Sequence, residues 1–138
     1  MADEIIFSDS EGVSTEKLND LFKAIGWKRD PSKWQKIFEK STYIVTAYNQ
    51  GVLVGFGRIM EDGVMCMFYD ICVHPDYQKK GIGTKIMQML IDKVKDKGYV
   101  SIGLFTWEEN PENVAFYESF GFEKVKTGME LFKHMVRE

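Results

Sequence analysis

Apolar residues recur along this chain at two different spacings, and the changes of spacing divide it into elements. "EIIFSDS" reads as a short opening strand. In "STEKLNDLFKAIGW" the spacing predicts a helix with Leu18, Leu21, Phe22 and Ile25 on one face, capped by Ser14 or Thr15 and ended by Gly26. "DPSKWQKIFEKS" predicts a second helix, with Asp30 as N-cap, Pro31 at the first helical position and Trp34, Ile37 and Phe38 on the apolar side.

The pattern then becomes β-rich. "TYIVTAYNQG", "VLVGFGRIMEDG" and "VMCMFYDICVHP" are separated by "NQG" and "EDG", which suit tight hairpin turns and predict an antiparallel meander. Helical spacing returns in "GIGTKIMQMLIDKVKDKG", with Ile82, Ile86, Met89, Leu90 and Val94 inward and Gly98 as the stop. "YVSIGLFTW" is a further strand, "NPENVAFYESFG" a shorter helix, and "FEKVKTGMELFKHM" a closing hairpin. A strand, a helix and a strand in succession imply a parallel pair joined by a right-handed crossover. The expected class is α+β: a mixed, mostly antiparallel sheet with helices on both faces.

Composition adds bounds. The 138 residues suit a single domain, 1–138, with no repeat, linker or low-complexity stretch. A net charge of -3 gives no support for a nucleic-acid or anionic-membrane surface, so any anion site must be local. Cys66 and Cys72 share one face of a regular strand, too far apart to bridge, and read as buried free thiols. Two histidines and these thiols make no metal ligand set. The amino terminus has no secretory pattern and no apolar run long enough to span a bilayer, which with the free thiols suggests a cytoplasmic protein.

The candidate chemistry begins at "QKKGIG". Gly81 and Gly83 open the long helix directly after a strand, where amides without an intrahelical partner and the positive end of the helix dipole favour phosphate. Lys79 and Lys80 add charge, and Thr84 adds a hydroxyl. A nucleoside-triphosphate loop fails because Gln78 stands five residues before Gly83 and Lys85 follows Thr84. A dinucleotide fingerprint fits poorly, with Ile86 where the third glycine belongs. The pattern Q/R-x-x-G-x-G/A is met from Gln78 to Gly83; a plain strand-to-helix turn is the simpler alternative.

The loop has company. "YDICVHPDYQKKGIGTKIMQML", followed some 30 residues later by "NPENVAFYESFGF", resembles the acetyl-CoA-binding core of the GNAT superfamily of N-acetyltransferases, across residues 43–133. The resemblance implies the fold of that superfamily and acetyl-CoA as cosubstrate, with no metal. It implies that amides of Gln78, Lys79, Lys80, Gly81, Ile82, Gly83 and Thr84 hold the pyrophosphate. It also implies that the strand splays from its parallel neighbour, so that Ile71 and Val73, flanking Cys72, pair with the pantetheine arm. Asn113 would bond the pantetheine and Tyr117 would protonate the departing thiolate, with Phe116 beside them and in the core with Phe120. Asn113 and Tyr117 stand at i and i+4 on one helix face.

The base is less defined. On a regular strand Asp70 shares a face with Phe68 and Cys72, and it reads either as the base or as a carboxylate bracing a bulge. Glu61, Glu108 and His74 suit exposed turns. Trp27 and Trp34 read as core or as acceptor-site wall. The implied activity is direct acetyl transfer to a primary amine of a small molecule or peptide; the alternative is a non-catalytic acyl-CoA sensor or interaction domain. Asp70, Glu61 and Glu108 fit a cationic acceptor weakly, and a homodimer is left open.

Overall fold

A computed structural model of the chain describes residues 4–10, 12–106, 110–125 and 129. Glu108 and the closing hairpin beyond Val125, apart from Met129, lie outside the described residues. The elements run β1 (Ile6–Ser8), α1 (Thr15–Ile25), a 3-10 turn (Pro31–Lys33), α2 (Trp34–Lys40), β2 (Tyr43–Asn49), β3 (Val52–Glu61) and β4 (Met65–Val73). A second 3-10 turn (Pro75–Tyr77), α3 (Ile82–Val94), β5 (Ser101–Leu104) and α4 (Pro111–Glu118) follow. The strands stand side by side in chain order; β1 to β4 are antiparallel and β5 is parallel to β4.

Local chemistry accounts for most boundaries. Ser14 Oγ accepts the Lys17 amide at 3.1 Å and starts α1, and Gly26, with φ +95°, lets the chain leave it. Asp30 caps as expected, accepting the Ser32 amide at 3.0 Å, but it starts one 3-10 turn before α2. Gln50 and Gly51 both have positive φ, 48° and 82°, the backbone of a two-residue hairpin whose twist matches its strands.

Each face of the sheet has its own core. On one face α3 lays Ile82, Ile86, Leu90 and Val94 against Val45, Val54, Ile59, Cys66 and Phe68. On the other, α1 and α2 bring Leu18, Phe22, Trp34 and Ile37 onto Leu53, Phe56 and Cys72. Gly57 sets how close α3 comes: a Cβ there would lie 2.8 Å from Ile71 Cδ1 and 2.9 Å from Ile86 Cγ2.

Strand β4 is not regular. Phe56 pairs with Cys72 and Arg58 with Tyr69, so Asp70 and Ile71 together face Gly57 alone, a β-bulge with Asp70 at φ +57°. The extra residue reverses the alternation of side chains beyond it. Phe68 and Cys66 therefore point to the α3 face, Cys72 to the α1 face, and the same-face expectation for Phe68 with Cys72, and for the two cysteines, is corrected. Both thiols are free and buried, and burial pushes Cys66 up to about 11.

Candidate active site

The site lies where β4 loses its parallel neighbour. Pairing with β5 runs from Met65 opposite Ser101 to Phe68 opposite Leu104 and goes no further, leaving Tyr69 to Val73 without a β5 partner. The His74 amide donates to the Val54 carbonyl at 2.8 Å, so residues 72 and 74 turn their backbone groups to β3. By alternation, Ile71 and Val73 turn theirs into the gap. The Val73 carbonyl there already accepts Gln78 Nε2 at 3.1 Å; among the described residues the two amides and the Ile71 carbonyl make no loop or turn bond.

The glycine loop closes one end of the gap. Gly81 is the N-cap of α3 in the left-handed region, φ +84°, and no side chain caps the helix. Lys85 makes the first backbone bond, to Gly81 at 3.1 Å, so the amides of Ile82, Gly83 and Thr84 have no intrahelical acceptor. Lys79 is also left-handed, φ +62°, and such turns in a loop gather successive amides into an anion-sized hollow. The two glycines have different tasks. A Cβ on Gly81 would meet nothing within 4 Å, so its requirement is conformational; one on Gly83 would meet Phe116 Cζ at 3.4 Å and Val73 Cγ2 at 3.6 Å, so its requirement is packing. Ile82 is buried in the α3 core and offers the loop only its backbone, while Lys80 lies over the Tyr77 ring at 5.4 Å.

Helix α4 forms the opposite wall. Asn110 Oδ1 accepts the Asn113 amide at 3.3 Å and sets the first turn, with the Asn113 side chain exposed. Phe116 stands edge-on to Tyr117 and Phe120, with ring centroids 5.2 and 5.1 Å away. Tyr117 is half-buried, and burial together with the nearby Cys72 thiol pushes its phenol up to about 12. Burial likewise pushes the Cys72 thiol well up, and Asp70 and Arg29 are close enough to act on it with opposite signs. Tyr117, Cys72, Asp70 and Arg29 thus surround the bulge.

Asp70 is fully engaged. Its Oδ2 accepts Arg58 Nε at 2.7 Å and its Oδ1 accepts Arg29 Nη1 at 2.6 Å, and its side chain is only 7% exposed. Arg58 also donates to Ser41 Oγ at 3.2 Å, and its guanidinium lies over the Tyr69 ring at 5.0 Å. Of the two sequence readings, this is the geometry of the brace. Glu61 is at the far end of the sheet, accepting the Tyr99 hydroxyl at 2.7 Å, and His74 Nδ1 accepts the Asp76 amide at 3.1 Å in a turn cap. Trp34 is core, 3% exposed, with Nε1 donating to Asn19 Oδ1 at 3.0 Å. Trp27 is half-buried beneath Arg29, whose guanidinium stands 4.3 Å from the ring centroid.

The two arginines are what sequence reasoning missed. Arg58 carried a signal, as the lone cation in the apolar run "VLVGFGRIME". Arg29 carried none, since its contact with Asp70 joins residues 41 apart in the chain.

A strand edge that β5 leaves unpaired among the described residues, a capless helix start beside it and an Asn–Tyr helix face together match an acyl-CoA-dependent transferase architecture. The chain matches the model of the acetyltransferase (GNAT) family over residues 11–122 and belongs to that family, whose members are acyltransferases that use acetyl-CoA. Among its relatives is the uncharacterized N-acetyltransferase ycf52 of Pyropia yezoensis, 30% identical over 133 residues, 92% of this chain and 75% of that protein. A GNAT-family acetyltransferase from Streptococcus pneumoniae superposes with a TM-score of 0.82 at 29% identity, covering 96% of this chain and all of that one. The aminoglycoside N-acetyltransferase AAC(6')-Iy in complex with CoA, at 15% identity and a TM-score of 0.75 over 98% of each chain, shares the fold.

Proposed function

We propose that this chain binds acetyl-CoA in the gap between β4 and α4 and transfers its acetyl group directly to a primary amine. The observation that carries the reading is the run Tyr69 to Val73, a strand edge without its β5 partner and flanked by the capless start of α3. The amides from Gln78 to Thr84 hold the pyrophosphate, and the Ile71 and Val73 amides and the Ile71 carbonyl pair with the pantetheine arm as an added strand would. Asn113 reaches the same arm from α4.

The thioester supplies the acetyl group. The amine nitrogen forms a bond to the carbonyl carbon, the carbon–sulfur bond breaks, the thiolate departs with the electron pair, and the surplus proton on nitrogen passes to solvent water. The Tyr117 hydroxyl donates to that sulfur; with its phenol at about 12 and a thiol near ~8.5, proton transfer is uphill and the hydroxyl serves chiefly as a hydrogen-bond donor. The acceptor needs its lone pair, and for an alkylammonium of pKa ~10.4 at pH 7 this costs roughly 4–5 kcal/mol. Both oxygens of Asp70 are taken by arginines, so the amine enters in its neutral form, which the positive charge around the bulge favours.

The test is acetyl-CoA binding by thermal shift together with thiol release against a panel of amines. Binding with acceptor-dependent release supports the enzyme. Tight binding without release under any acceptor supports the sensor instead, and no binding overturns the site.

A further inference from the structure

The acceptor side of the bulge is basic. Two guanidinium groups share the single Asp70 carboxylate, and among the described residues no second carboxylate pairs with either. Arg29 uses Nη1 for Asp70, and its side chain is 39% exposed. It stacks on Trp27 and lines a half-open cavity of about 240 Å³, whose other walls are Asn19, Lys23, Gly26 and Lys28. Among the described residues that line this space, Arg29 and Lys23 are cations and none is an acid. Of the acidic groups that would have suited a cationic acceptor, Asp70 is held by two arginines and Glu61 is bonded at the other end of the sheet, while Glu108 lies outside the described residues.

We infer that the acceptor is an amine carrying an anionic group, a carboxylate or phosphate, which Arg29 binds in the cavity beside Trp27 while the amine lies at the bulge. The inference rests on the acetyltransferase reading above. Four features support it. The planar fork of arginine suits two-point binding of either anion, and its stacking on Trp27 holds the fork in one orientation. Lys23, in the last turn of α1, adds a second cation to the same cavity. A cavity of this volume holds a small anionic group and a few linking atoms, since water in the liquid takes ~30 Å³ per molecule. Arg29 also touches Asp70, which is joined in sequence to Ile71, so an anion held here lies close to the reacting end of the gap.

The experiment compares matched amines on the full chain with acetyl-CoA: γ-aminobutyrate against butylamine, and O-phosphoethanolamine against ethanolamine. Thiol release and calorimetric binding of acetyl-CoA are both read. The expected result is a KM about 10–100-fold lower for the acidic member of at least one pair, as for a charge-assisted contact, and the pair that shows it identifies the anion. Arg29→Gln should reduce that advantage to about threefold or less, and Arg29→Lys should keep part of it. If the Arg29 variants do not fold, Lys23→Gln, which leaves the Asp70 contacts intact, should still shrink the advantage. Acetyl-CoA binding with neutral amines accepted as well as acidic ones overturns the inference and leaves the acetyltransferase reading standing. Absence of both acetyl-CoA binding and thiol release overturns that reading, and this inference with it.

Discussion

Arg58 Nε donates to Asp70 Oδ2 across 2.7 Å, joining β3 to the residue that makes β4 bulge. Asp70 sits at φ +57°, a conformation that costs a non-glycine residue about 1–2 kcal/mol, and its two guanidinium partners hold it there. The bulge in turn decides which backbone groups and side chains face the gap.

Asp70→Asn separates brace from base. Asparagine tolerates the left-handed backbone but cannot neutralise two arginines, so the expected loss is about 2–3 kcal/mol, or roughly 10 °C in Tm. Thermal melting measures it. If turnover instead falls more than about a thousandfold with Tm unchanged, Asp70 is the base after all.

Tyr117→Phe should lower kcat by about 10–100-fold without abolishing it, because the phenol stabilises a leaving group that departs as a thiolate on its own. Thiol release under saturating acetyl-CoA reads the effect. An unchanged kcat removes the role.

The pH profile has a definite sign. With Tyr117 raised to about 12, its proton is retained through the working range, so kcat/KM should show no falling limb from this group below about pH 10. The rising limb should track the pKa of the free acceptor and move when an amine of lower pKa is supplied. A rising limb that stays fixed across acceptors would reveal a protein base.

Gly81 and Gly83 should respond differently. Gly81→Ala meets no atom but must hold φ +84°, so it is expected to weaken acetyl-CoA binding by about 10-fold through the loop backbone. Gly83→Val drives a side chain at Phe116 and Val73, and should lower both Tm and binding by moving α3 from α4. Equal binding in wild type and both variants would make the loop a turn and nothing more.

Lys79→Ala and Lys80→Ala should weaken acetyl-CoA binding only two- to fivefold, on the order of an exposed charge interaction, with the difference fading at high salt. A salt-independent loss above about 50-fold would place these side chains directly on the phosphate.

Much of this architecture was legible because its causes are local. Ser14, Gly26, Asp30 and Gln50–Gly51 act within a few residues, by capping an amide or allowing a positive φ. The start of α3 at "QKKGIG" and the Asn113–Tyr117 helix face follow from spacing alone. Alternation in β4 failed at one point, because a strand pattern assumes one residue opposite one residue, and Asp70 breaks that count against Gly57.

The sequence by itself determined the order of elements, the glycine loop, the α4 pair and hence the family, since each is written in spacings of four residues or in one short motif. The tertiary structure decided what Asp70 pairs with, which faces the cysteines occupy, where β4 and β5 part, and that two arginines stand at the bulge. These depend on pairings between residues far apart in the chain, Arg29 and Arg58 with Asp70, Gly57 with Asp70 and Ile71, Phe116 with Gly83, whose energies exist only once the sheet and its two cores have brought them together.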